Sequence, residues 1–251
     1  MFRRRKPETF QMTAEGLDAP VLVRRNPRAQ RISLTVNEAR RGAVLTVPHN
    51  ASLVDAGDFL ARHFEWLRKR LDALPQPVPF ADGSVVPLRG EPHVLRFSPS
   101  ARQRGVVWIE PAEGLNGDAL PSITVAGAPE HGPRRLKDWL KREARGDLSH
   151  CCDMHAINLG VRARRITVRD QSSRWGSCSA SGVLSFSWRL ILAPAYVLDY
   201  LAAHEVAHLR EMNHGPCFWR HVKSTCPDMD TAKSWLRKNG AKLHRYGAEA
   251  S

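Results

Sequence analysis

His204, Glu205 and His208 stand in the order His-Glu-Val-Ala-His, and a further histidine follows at His214. On a helix, residues four apart share a face, so the imidazoles of His204 and His208 can point side by side at one ion. Glu205 falls beside them, placed to act on a water activated at that ion and not to bind the ion itself. Two imidazoles for a metal and a carboxylate for a general base are the parts of metal-assisted hydrolysis. The competing reading, three satisfied core residues, would bury three costly polar groups together. The spacing favours the metal.

A hydrolytic zinc takes three protein ligands and keeps a fourth position open. Glu211, His214 and His221 compete for the third place. Glu211 lies on roughly the same helix face, where its short spacing from His208 crowds one side of the ion. No glutamate occurs between Glu211 and Glu249, so the next helix offers none. His214 stands before Gly215-Pro216, where a helix should end and the chain turn back. That turn favours His214, with His221, in a later helical segment, as the alternative. The His204, His208, His214 spacing equals that of HExxHxxGxxH, with Glu211 in place of the glycine and Met229 as a weak downstream methionine, so the similarity is one of spacing only.

The elements that must hold these residues follow from periodicity. Ala193-Pro194 offers a helix start, and Leu198, Ala202, Val206 and Leu209 form an apolar stripe with the histidines on its flank. Strands are expected near Ile166 to Val168 and Val183 to Phe186, after a basic helix from about Pro133 to His155. Behind the site, Phe218, Val222 and Cys226 mark a short helix closed by Pro227, and a last helix runs from Asp228 or Asp230 toward Gly240. Nearer the start, Ile32, Leu34 and Val36 alternate and are answered by Leu45 and Val47, which reads as a hairpin. From the plausible cap Ser52, the residues Leu60, Phe64, Leu67 and Leu71 describe one amphipathic helix, ended by Pro75, Pro77 and Pro79. Residues 80–128 hold short β-type runs, such as Val106 to Ile109 and Ile123 to Val125, and carry no functional signal.

Around the motif, the runs Arg174-Trp175-Gly176-Ser177-Cys178, Ser187-Trp188-Arg189-Leu190 and Asn213-His214-Gly215-Pro216-Cys217-Phe218-Trp219 are set in order. Together with His204 to Leu209 they resemble the YgjP-like metallopeptidase family, related to the SprT-like zinc proteases, whose pattern runs RWGSC, NWRL, HELxHL, NHxxxFW. Ser187 stands where the family usually has asparagine, and Val206 replaces a leucine. Arg24-Arg25, Arg31 to Leu34 and Leu45 to Pro48 are similar to the family's opening hairpin, so the likeness spans roughly residues 24–240. The resemblance implies that His204, His208 and His214 bind Zn2+, that Glu205 is the catalytic carboxylate and that the Arg174-Trp175-Gly176 segment lies near the cleft. That segment also reads as a strand and turn packed on the site helix. Trp188 and Trp219 read as core packing.

Composition adds class and compartment. A chain of 251 residues can bury a substantial core. Five cysteines without regular spacing make neither a disulfide framework nor a zinc ribbon: Cys151 and Cys152 are adjacent, while Cys178, Cys217 and Cys226 stand apart. This suits a reducing, cytoplasmic setting. The basic start, Arg3 to Lys6, is followed by no apolar signal region, and no apolar run approaches the ~20 residues of a membrane span. A formal net charge of +13, with clusters at Arg24 to Arg41, Arg134 to Arg145 and Arg162 to Arg169, allows non-specific contact with nucleic acid.

The expectation is an α+β protein: a basic flexible tail over 1–23, a β-rich part over 24–128 and a zincin-like part over 129–245 carrying the HExxH helix. Its expected activity is zinc-dependent hydrolysis of protein or peptide bonds by an endopeptidase-type mechanism, with Arg174, Arg189, Tyr196, Tyr200 and His221 all open as oxyanion donors. The alternatives are a non-catalytic zinc protein that binds nucleic acid, or a protease recruited to DNA.

Overall fold

The computed structural model describes residues 9–13, 16–17, 19–37, 41–99, 105–112, 119–171 and 173–248. Arg3 to Lys6, Arg40 and Glu249 lie outside the described residues. The chain divides into two compact units, Met1–Gln76 and Pro77–Ser251.

In the first unit, strands β1 (Thr9–Met12), β2 (Val21–Arg25), β3 (Ser33–Asn37) and β4 (Gly42–Val47) form one sheet in the order β1-β2-β4-β3. The expected hairpin is β3 against β4, with Leu34 opposite Leu45. On the other side β2 runs parallel to β4, a pairing that no local pattern announces. β1 falls within the segment expected to be a flexible tail; its residues pair antiparallel with β2, Phe10 opposite Val23.

Ser52 caps the following helix in a reciprocal box: its hydroxyl accepts from the Asp55 N–H at 3.0 Å, and Asp55 accepts from the Ser52 N–H at 2.9 Å. The single helix expected from the Ser52 cap through Leu71 is two, α1 (Leu53–Arg62) and α2 (Phe64–Asp72). The break has a local cause. The His63 Nδ1 sits 2.8 Å from the Phe59 carbonyl, which an unbroken helix would give to the His63 backbone N–H; that N–H turns to Leu60 instead. Leu60, Leu67 and Leu71 still bury together with Val21, Val23, Leu45 and Val47.

In the second unit, β5 (Val85–Leu88), β6 (Glu91–Ser98), β7 (Val107–Glu110) and β8 (Ser122–Ala126) form a sheet in the order β5-β6-β8-β7. A helix of 28 residues, α3 (Gly132–Leu159), follows and ends at Gly160 in the left-handed conformation, φ 60°. A smaller sheet is built from β9 (Arg165–Arg169), β10 (Gly176–Cys178) and β11 (Val183–Ser187), in the order β10-β11-β9. A 3-10 turn, Trp188–Leu192, leads into α4 (Ala195–Ala207). Helices α5 (Pro216–Thr225) and α6 (Met229–Asn239) and a 3-10 segment, Gly240–Arg245, complete the unit. The fold is mixed α+β, with six α-helices among the described residues.

The division after Gln76 differs from the boundary expected after residue 128. Val86, Leu95, Ile123 and Val125 of the β5–β8 sheet share one core with Leu136, Leu140 and Leu148 of α3 and with Leu198 and Val206 of α4. The sheet is thus part of the scaffold of the site. Its β5–β6 turn is fastened to the start of α4. The Arg89 N–H donates to the Ile191 carbonyl at 2.7 Å, and its guanidinium reaches Asp147 at 2.8 Å and Glu143 at 2.9 Å on α3. Gly90, with φ +89°, lies so close to Pro194 that a Cβ there would stand 3.0 Å from the proline Cα.

Helix α4 begins just past the expected Pro194, which serves as its cap. It is buried on nearly every side, with Val197, Ala202, Ala203 and Val206 at 0% exposure, where a stripe was expected. A central helix surrounded by protein carries no amphipathic signature. All five cysteines are free thiols. Among the described residues no helix is long and apolar enough to cross a membrane.

Candidate metal centre and active site

His204 and Glu205 project from the last turn of α4, and His208 is its C-terminal cap. The chain then turns through Glu211 to Asn213 and returns, so that His214 faces the helix it has just left. One ring nitrogen from each of His204, His208 and His214 lies within 4.8 Å of the others. Among the described residues no other group of three His, Cys, Asp or Glu side chains meets that condition. Glu211 and His221, the competing candidates, are outside it. The Nε2 atoms of His204 and His214 are 3.1 Å apart. Two nitrogens each ~2.05 Å from a tetrahedral zinc would be separated by about 3.3 Å, so the donor set fits such an ion.

The rings are held by groups that the sequence reading did not assign. The carbonyl of Glu211 can only accept, so the His208 Nδ1 at 3.1 Å carries the proton and leaves Nε2 with its lone pair. The hydroxyl of Tyr200, one turn earlier, lies 3.5 Å from His204 Nδ1. Phe218 and Trp219 wall the cluster: the Phe218 ring centroid is 4.5 Å from that of His208, and Trp219 is 5.8 Å from both His204 and His214. Trp188 is wholly buried core, whereas Trp219 is half-buried and packs on the histidines. Burial, reinforced by His208 and His214, pushes His204 down to about 3, and burial also lowers His208. Both rings are thus held neutral, the state that ligates metal.

Glu205 is 4% exposed, and its Oε2 accepts no hydrogen bond from the protein. Burial pushes its carboxyl up to about 7, against a smaller downward pull from Arg174. Its position depends on β10. A Cβ on Gly176 would come within 2.8 Å of the Glu205 Cγ and Cδ and closer still to Oε1, so only glycine leaves room for the carboxylate. The Arg174-Trp175-Gly176 segment therefore leads into the strand packed on the site helix, and its Arg174 and Gly176 line the cleft.

A cleft of about 530 Å3 opens here, with Ser173, Arg174 and β10 on one side and His204, Glu205, His208, Met212 and His214 on the other. Of the five side chains considered for the oxyanion, Arg174 alone is among those lining it. Arg189 is buried and paired with Asp170, and Tyr200 touches His204 instead. The site helix is braced from behind by His155 of α3, whose Nε2 donates to Asp199 of α4 at 2.9 Å and whose Nδ1 lies 2.6 Å from Thr225 Oγ of α5. The residues are 44 and 70 positions apart in the chain, and no sequence signal joins them.

A family model described as "YgjP-like, metallopeptidase domain" matches residues 30–239. A comparison with curated proteins finds no match. Among solved structures, the metallopeptidase zymogen abylysin of Pyrococcus abyssi is similar at 21% identity and a TM-score of 0.35, over 40% of this chain and 99% of that one.

Proposed function

The chain belongs to the YgjP-like metallopeptidase family, and from that premise we propose that it is a zinc-dependent endopeptidase in which His204, His208 and His214 bind the metal and Glu205 is the general base. The observation that carries this reading is the convergence of three imidazoles beside a buried, unpartnered carboxylate on the floor of an open cleft. Three protein nitrogens facing a cleft favour a catalytic over a structural site, which is ordinarily closed by four protein ligands. The placement of the metal helix behind the β10 edge of a small sheet supports the zincin-like architecture.

When bound, zinc supplies a Lewis acid that makes a nearby water acidic near neutral pH and draws charge from a scissile carbonyl. Glu205 takes the proton of that water on its carboxylate and hands it to the departing amine nitrogen. Its basicity is raised by burial, the direction a general base requires, and Gly176 fixes its place. His208 is oriented by the Glu211 carbonyl and His204 by Tyr200, so neither ring needs to reorganise. The open cleft admits a chain passing through, which suits an internal bond of a protein substrate.

The test is cleavage of several unfolded proteins by zinc-loaded enzyme, with and without DNA. Glu205→Gln is expected to lose turnover while keeping its zinc, and His214→Ala to lose zinc stoichiometry. Proteolysis retained in the Glu205 variant, or an undiminished metal content in the His214 variant, overturns the assignment. Stimulation by DNA that disappears at high salt would point to recruitment through the basic clusters.

A further inference from the structure

Arg174 stands out among the charged groups of the second unit because it lines the cleft of the histidine cluster without a partner among the described residues. Arg89 is held by Asp147 and Glu143, and Arg189 by Asp170. Arg174 makes no side-chain hydrogen bond or ion pair with any described residue, and its side chain is exposed to the cleft. It is the one lysine or arginine among the residues lining that cleft, and Glu205 is the one carboxylate. The rest of the wall is neutral: Ser173 and Ser177 offer hydroxyls, and Met212 is apolar. Arg174 is also firmly mounted. It lies two residues before Gly176, the β10 residue packed on Glu205, and the next residue, Trp175, receives the Ser187 N–H at 2.9 Å and stacks on His244 at 5.0 Å.

We propose that Arg174 is a specificity-determining residue that captures a carboxylate of the peptide substrate beside the bond to be cleaved: an acidic side chain where the cut is internal, or the free C-terminus where the same site trims a chain end. The proposal deepens the peptidase reading and rests on it. A guanidinium presents two parallel N–H donors that match a carboxylate, and a free one at the mouth of a site selects for that shape as well as charge. Its exposure argues against an oxyanion role, because stabilising a transition-state charge needs a dry donor. It suits recognition of a group arriving from water. Its charge is close enough to act on Glu205, so the captured carboxylate would be held near the reacting centre. The chain's net charge of +13 draws anionic peptides generally, but only a local contact distinguishes a carboxylate from its amide at one position.

The test separates capture from turnover. Zinc-loaded full-length Glu205→Gln protein is titrated by fluorescence anisotropy with matched peptides: an internal Asp against Asn, and a free C-terminus against its amide. One or both carboxylate forms should bind about tenfold tighter, the lower range for a charge-assisted contact in a wet site. The arm showing the difference names the source of the carboxylate. Arg174→Gln, added to that background, should erase the ratio, Arg174→Lys should keep part of it, and Arg174→Glu should turn the preference toward lysine-bearing peptides. Equal affinities in the parent, or a ratio unchanged by Arg174→Gln in protein with parental circular dichroism, overturn the proposal. Absence of cleavage by the unsubstituted enzyme, with the binding ratio intact, would count against the peptidase reading and leave the carboxylate site standing.

Discussion

Replacing Glu205 by glutamine should make the metal-free protein more stable, and increasingly so as the pH rises. The reason is the cost of a charge on a group that is 4% exposed and has an oxygen without a donor. Burial lifts its carboxyl from the ordinary 4.5 to about 7 in the folded chain. A raised folded pKa means the native state holds its proton longer than the unfolded one. The contribution of Glu205 is therefore intact below pH 4.5 and lost as the pH climbs through 7. Above that point the loss levels off at about 3 kcal/mol, from 1.36 kcal/mol per unit. Between about pH 5 and pH 8 the stability difference between variant and parent should open by about 2.5 kcal/mol, since glutamine has no proton to lose. The assay is urea unfolding in chelator across that range, followed by tryptophan fluorescence. Six of the seven tryptophans lie in Pro77–Ser251, leaving Trp66 in the other unit, so the signal reports the unit that holds Glu205. His204 and His244, held by burial at about 3 and about 4, titrate in the opposite sense, but they are common to both proteins and cancel in the difference. Any packing offset from the new amide is independent of pH and leaves the slope unchanged. Parallel stability curves for the two proteins would refute the argument that Glu205 is a destabilised charge kept for its chemistry.

Two further outcomes follow from the supports of the site. Gly176→Ala places a methyl against the Glu205 side chain, so the carboxylate must shift; with retained zinc, kcat should fall by about 100-fold, and full activity in a steady-state peptide assay would show that Glu205 does not need this strand. Asp199→Ala leaves His155, which is 4% exposed, without its 2.9 Å partner and should cost the second unit about 1–3 kcal/mol in urea unfolding; an unchanged midpoint would mean that the α3–α4 brace contributes nothing.

What the sequence by itself determined was whatever depends on neighbours along the chain. The four-residue step from His204 to His208 is set by helix pitch, and the turn at Gly215-Pro216 made His214 the favoured third histidine. The Ser52 cap, the β3–β4 hairpin, and the helices on either side of Pro227 were legible for the same reason, because a few adjacent residues carry each signal. Local reading failed where a side chain competed with the backbone, as at His63, and where burial on all sides erased periodicity, as on α4.

Tertiary structure alone decided which distant segments share a core and what surrounds the site. It joined the β5–β8 sheet to α3 and moved the division of the chain to Gln76. It brought Gly176 against Glu205, His155 against Asp199 and Thr225, and left Arg174 in the cleft without a partner among the described residues. These contacts link residues some 30 to 70 positions apart, and their energies come from burial and packing, which no local period records. The histidines that converge were therefore visible in the chain, whereas the raised basicity of Glu205 and the charge beside it emerge only when the chain is folded.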